Sequence, residues 1–103
     1  MNTPYWMRQT LADLVRHEGF RQYAYPDPLS ALYRAAPRAR WGFEPAEVIM
    51  ARMKSVNGRA PRIEDGAPWT VGIGFTRGVN YRTRMSEEFA MRKLEQEVLQ
   101  HLE

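Results

Sequence analysis

The sequence predicts a small α+β domain on three observations. Amphipathic helical stripes stand near both ends of the chain, a glycine-interrupted β pattern occupies 69–76, and no helix-linked pair of strands suggests a βαβ crossover. The expected order is helix, short strands, an inserted helical segment, strand and helix, in one domain over 1–103. At 103 residues the chain is long enough for a single modest core.

The first helix is expected over about 4–18. Thr3 reads as an N-cap, with Pro4 at the first helical position. Met7, Leu11, Leu14, Val15 and Glu18 fall on one stripe, and Gly19 suits the position just past the end. Residues 20–27 alternate loosely, with Tyr23 and Tyr25 on one side, and close in Pro26-Asp27-Pro28. They read as a short strand or extended arm ending in a turn.

Residues 29–67 read as an insertion. Leu29 to Ala36 form a short helix ahead of Pro37, and Glu44-Pro45 open a second one. Its stripe of Val48, Ile49, Met53 and Val56 runs to Asn57-Gly58, after which 58–66 carry loop chemistry. In the β pattern, Trp69, Val71, Ile73 and Phe75 share one face. Thr70, Gly72, Gly74 and Thr76 share the other, leaving bare backbone and two hydroxyls where a ligand could come close. Ser86 caps the last helix, Glu87 and Glu88 complement its dipole, and Met85 is placed as a staple. Ala90, Met91, Leu94, Val98 and Leu102 make its apolar stripe, with Leu99 beside it. That stripe needs cover from the insertion, from a partner chain or from further residues. Self-association through 94–102 is therefore expected.

Hydrophobic content of 44% and charged content of 26% describe an ordinary globular chain. Without cysteine there are no disulfide staples or cysteine-rich zinc sites, which suits a reducing compartment. No apolar run could span a bilayer, and the first residues lack a signal-peptide core, so no export signal is expected. A net charge of +3 favours polyanions such as nucleic acid, an anionic membrane or an acidic wall. The charges are scattered, however, and Arg38, Arg40, Arg59 and Arg62 form no block. Nucleic-acid binding and membrane insertion are not expected.

Gly72-Ile73-Gly74-Phe75-Thr76-Arg77-Gly78 is not a dinucleotide fingerprint, because its spacing is one residue too long and no second strand follows. His17 and His101 have no metal-ligand spacing, no cofactor is expected, and no serine sits in a nucleophile elbow. Asp13 reads as a surface residue. Glu18 and Asp27 remain, nine positions apart. One reading makes them a helix-end glutamate with a local hydrogen bond and an aspartate capping a turn. The other starts from the placement of Glu18 on an apolar stripe at a helix C-terminus, where burial and the dipole both disfavour its charge. A protonated acid opposite an ionised carboxylate is the pair that glycoside hydrolysis uses.

His17-Glu18-Gly19-Phe20-Arg21 with Tyr25-Pro26-Asp27, then Trp69-Thr70-Val71-Gly72-Ile73-Gly74-Phe75-Thr76, resembles the phage-type lysozymes, or endolysins. Arg84-Met85-Ser86-Glu87-Glu88 and the helix behind it resemble the long helix between the two lobes of that family. The resemblance implies a lysozyme-like fold and an N-acetylmuramidase. Such an enzyme cuts the β-1,4 bond between N-acetylmuramic acid and N-acetylglucosamine in peptidoglycan. It makes Glu18 the general acid, Asp27 the second carboxylate and Thr70 a holder of the attacking water, with Tyr25, Gly72 and Gly74 as substrate-binding candidates. It also implies residence in a bacterial host's cytoplasm before release to the wall, or carriage in a virion. Phe75 stands where the family commonly has histidine, and the second helical lobe is expected to be absent. The rival expectation is a lysozyme-derived binding or structural module with little turnover.

Overall fold

The structure is a computed structural model that describes residues 4–56 and 58–101, apart from the side chains of Glu18 and His101. Its described residues form a mixed α+β arrangement. In chain order these are α1 (Tyr5–Glu18), β1 (Arg21–Tyr25), α2 (Ala31–Ala35), α3 (Ala46–Arg52), a 3-10 turn (Ile63–Gly66), β2 (Thr70–Gly72) and α4 (Glu87–His101). β1 and β2 make a two-stranded antiparallel sheet, in which Arg21 faces Gly72 and Tyr25 faces Thr70. No helix among the described residues is long and apolar enough to cross a membrane.

α1 starts one residue later than expected. Pro4 is the N-cap, and its carbonyl accepts from the N–H groups of Met7 and Arg8 at 3.1 Å each. Thr3 lies outside the described residues. Met7, Leu11 and Val15, four residues apart, are buried on the face that meets α4. Leu14 falls off this stripe and is 42% exposed, because the 100° step from Val15 turns it to the helix flank. Gly19 stops the helix at φ 77°, with its N–H donating to Val15 O at 2.9 Å.

Residues 29–67 are core rather than appendage. Leu32, Trp41, Ala46, Ile49 and Val56 lie in one buried cluster with Ala24, Trp69, Val71, Met85 and Ala90. Ser30 Oγ caps α2 by accepting from Tyr33 N at 3.1 Å. α3 ends before the expected limit, as Met53 is already extended at ψ 140°. Val56 therefore leaves the helix and pairs with Arg59 across a tight reversal through Gly58, at φ 79°. Asn57 lies outside the described residues. Val48 is 38% exposed, so only Ile49 of that helix's expected stripe is buried within the helix itself.

The expected strand over 69–76 is two short pieces joined by a reversal. Val71 and Phe75 exchange both backbone hydrogen bonds at 2.9 Å, which folds Gly72-Ile73-Gly74 into the turn. Gly72 and Gly74 have φ of 71° and 113°, conformations that alternation of side chains does not reveal. The two faces assigned to the segment consequently do not exist beyond Gly72.

Ser86 Oγ accepts from Phe89 N at 3.0 Å and caps α4. Met85 and Ala90 both enter the core cluster, as a staple requires. Met91, Leu94, Val98 and Leu99 are half-buried, and this helix packs against α1. Leu102 lies outside the described residues. α1 leads into β1, while α4 leaves the core at Ala90, so the two run as an antiparallel arm. The radius of gyration is 15.7 Å and the extents are 52 × 22 × 19 Å. A chain of this length packed evenly would have a radius near ~13 Å.

Candidate active site

β1 positions the two candidate carboxylates. Glu18 ends α1 just before it, and Asp27 follows it after Pro26. The side chain of Glu18 lies outside what is described, so its backbone position is what the structure supplies. Asp27 is half-buried and held at three points. Its N–H donates to Gly66 O at 2.9 Å, its carbonyl accepts from Ser30 N at 2.8 Å, and Oδ1 accepts from Leu29 N at 3.1 Å. The carboxylate thus caps the Pro-Asp-Pro turn with one oxygen. Thr70 is half-buried and sits opposite Tyr25, two residues from Asp27.

A cleft of about 260 Å3 opens where α1, β1 and the glycine turn meet. Gly19, Arg21, Tyr25, Pro28, Tyr33, Trp41, Ile73 and Gly74 line it. Tyr25 and Gly74 from the sequence-based set are therefore on the wall, as is the residue after Glu18. Asp27, Thr70 and Gly72 are not on that lining. Gly72 is buried, and a Cβ there would fall 2.8 Å from Met85 Sδ and 2.9 Å from the Phe75 ring. Its need for glycine comes from these neighbours and from its positive φ.

The sequence reading missed Arg21, Tyr33, Trp41 and Ile73. Tyr33 and Trp41 stack at 6.5 Å between centroids and 26° between planes, and Trp41 Nε1 donates to Ala36 O at 2.8 Å. Both come from the segment read as an insertion. One local signal was available in Trp41-Gly42-Phe43, where a glycine between two aromatics marks a close approach. Across Gly74 a second hollow of about 440 Å3 runs to α4, with Phe75, Arg77 and Lys93 on its wall. Lys93 Nζ lies 5.2 Å from the Phe75 centroid.

An ion pair stands next to the residue that anchors Asp27. Arg59 holds Asp65 bidentately at 2.8 and 2.7 Å, and Asp65 Oδ2 also accepts from Arg62 N at 3.0 Å. The Arg59 hydrogen bonds hold the Asp65 carboxyl below the usual carboxylate range, and the same pair raises Arg59. Asp65 precedes Gly66, whose carbonyl anchors Asp27.

Among the described residues, no group of three or more His, Cys, Asp or Glu is gathered to hold a metal ion. Comparison with family models, with characterised proteins and with solved structures gives no match.

Proposed function

We propose that this chain is a glycoside hydrolase of the phage-lysozyme kind, an N-acetylmuramidase acting on bacterial peptidoglycan. Glu18 is the general acid, Asp27 the second carboxylate and Thr70 the hydroxyl that helps hold water. The observation that supports it most is the aromatic cleft lined by Gly19, Tyr25 and Gly74, set against the strand that separates Glu18 from Asp27. The half-buried Tyr25 and Tyr33 beside glycine backbone offer ring surface and room for a sugar ring. Tyr33 and Trp41 supply a wall that a second lobe supplies in the family this sequence resembles. The protein's partner in this reading is the glycan strand, reached by release from a host cytoplasm or by delivery in a virion.

A second reading has one observation in its favour. Asp27 and Thr70 lie off the lining of the cleft, and one oxygen of Asp27 is occupied by Leu29 N. A lysozyme-derived module that binds glycan with little turnover needs neither group at the ligand. Digestion of purified peptidoglycan, with mass analysis of the products, separates the two. New reducing-end muramic acid supports the hydrolase; retention of the protein on walls without new ends supports the module.

A further inference from the structure

The geometry points to a second site, a hollow between the 36–45 loop and α3 that takes a phosphate monoester. This goes beyond the glycan reading of the cleft and stands or falls apart from it.

Arg38 and Arg40 look scattered in sequence, but the fold brings them together with Arg52 around a hollow of about 370 Å3. The loop that carries the first two is tied down. Trp41 is buried, and its Nε1 donates to Ala36 O at 2.8 Å. Ala39 N–H donates to Ala36 O at 3.1 Å, while Arg40 O accepts from Phe43 N at 2.9 Å and from Glu44 N at 3.1 Å. Turns therefore fix the backbone under both arginines. The Arg40 guanidinium carbon stands 5.6 Å from the Phe43 centroid. Arg52 ends α3, one turn beyond the buried Ile49, and its Nη1 and Nη2 each donate to Glu44 at 3.3 Å. With five N–H donors, a guanidinium can hold Glu44 and a ligand oxygen at once.

Three guanidinium groups and one carboxylate line the hollow, so its described wall carries an excess of two positive charges. A phosphate monoester matches that excess, with a charge of about −1.5 to −2 at pH 7. A diester or a simple carboxylate brings only one negative charge. Guanidinium forks also fit phosphate oxygens through paired hydrogen bonds. Between the arginines the lining is apolar, from Ala39, Ile49 and Met53. A bare ion makes no use of such a floor, whereas the carbon body of an ester covers it and leaves water. The volume falls within the ~300–1,000 Å3 of small-molecule sites. The hollow at Arg77 and Lys93 is a poorer match. Glu97 lies 3.6 Å from Lys93 on its wall, and the excess there is one charge.

The test is an NMR titration of the full 15N-labelled chain at low salt. The probes are phenyl phosphate, its methyl diester, inorganic phosphate and a single-stranded oligonucleotide without terminal phosphates. Phenyl phosphate should move the amide signals of Ala39, Glu44 and Met53 together. It should bind about threefold to fivefold more tightly than the methyl diester, the ratio expected of one further exposed charge contact. Arg38→Gln and Arg40→Gln should each lose a similar factor, while Arg92→Gln, which removes the same charge from α4, should lose none. Equal binding of monoester and diester overturns the inference, as does movement centred on Arg77 and Lys93. A loss in Arg92→Gln equal to that in Arg38→Gln means that net charge alone attracts the probe, and overturns the site. Inorganic phosphate bound as tightly as phenyl phosphate overturns the role of the apolar floor. Tighter binding of the oligonucleotide per phosphate makes a phosphodiester polymer the occupant, and overturns the monoester. Co-sedimentation with phosphatidylcholine vesicles containing phosphatidic acid assigns the ester to a lipid headgroup, and its absence to a soluble compound; either source sustains the site. Peptidoglycan digestion reads the cleft alone, so the hydrolase and this site fail separately.

Discussion

Asp27 and Gly66 are joined main chain to main chain, the Asp27 N–H donating to the Gly66 carbonyl at 2.9 Å. Gly66 is wedged in place, since a Cβ there would fall 2.8 Å from Leu32, Pro26 and Trp69 alike. The candidate carboxylate is therefore held by the far end of residues 29–67, and the segment's contribution to the core is part of the site's rigidity.

Excision of 29–67 in favour of a short glycine loop should consequently prevent folding, because it removes five members of the buried cluster. Leu32→Ala gives a graded version and should cost about 2–5 kcal/mol in denaturant unfolding. A shortened chain with a cooperative, wild-type-like unfolding transition would show that the segment is accessory after all.

Glu18→Gln should abolish peptidoglycan cleavage while leaving the thermal midpoint unchanged or slightly raised. A carboxyl at the C-terminal end of a helix is disfavoured by the dipole, and in the proposed mechanism it serves to donate the proton. Dye release from labelled cell walls measures the first effect and a calorimetric scan the second. Clearing at the wild-type rate would remove Glu18 from the mechanism.

Thr70→Val keeps the shape of a side chain opposite Tyr25 and loses the hydroxyl. Turnover should fall more than affinity for uncleaved oligosaccharide, and Asp27→Asn should show the same split. Equal losses in both quantities would assign Thr70 to binding.

The Arg59–Asp65 pair makes stability depend on pH with a defined sign. The folded-state pKa of Asp65 is depressed, so its contribution is present above the unfolded value of about 3.9 and is lost as pH falls through the folded value. Asp65→Asn should lower the thermal midpoint at pH 7, and the gap to wild type should shrink in strongly acidic buffer. A gap that stays constant from neutral pH down to about pH 2 would mean that packing, and not charge, carries the effect.

The arm formed by α1 and α4 leaves Tyr5, Trp6, Leu14 and Phe89 exposed at 75%, 62%, 42% and 52%. We expect self-association through this arm, since exposed large apolar groups tend to be covered. Sedimentation equilibrium should detect it, with Leu94→Lys shifting the protein toward monomer. A monomeric wild type, equal in solubility to Leu94→Lys, would end the idea.

Helix positions were legible because their signals are local. The four-residue spacing of Met7, Leu11 and Val15, the stop at Gly19 and the cap at Ser86 act within one or two turns, and each appears in the structure. The α+β class followed from the order of such elements. The strand over 69–76 was misread because Val71 pairs with Phe75 rather than continuing, a choice made by two positive-φ glycines and by the packing of Gly72 on Met85. Tyr33, Trp41 and Arg21 could not be placed at the cleft from sequence. Their convergence depends on Gly42 entering the β1 ladder, a contact between residues about twenty positions apart. Local propensity determines which elements form. Which side chains share a cleft is decided by long-range packing, where the burial of Leu32, Trp41 and Ile49 against the sheet outweighs any preference visible in their own neighbourhoods.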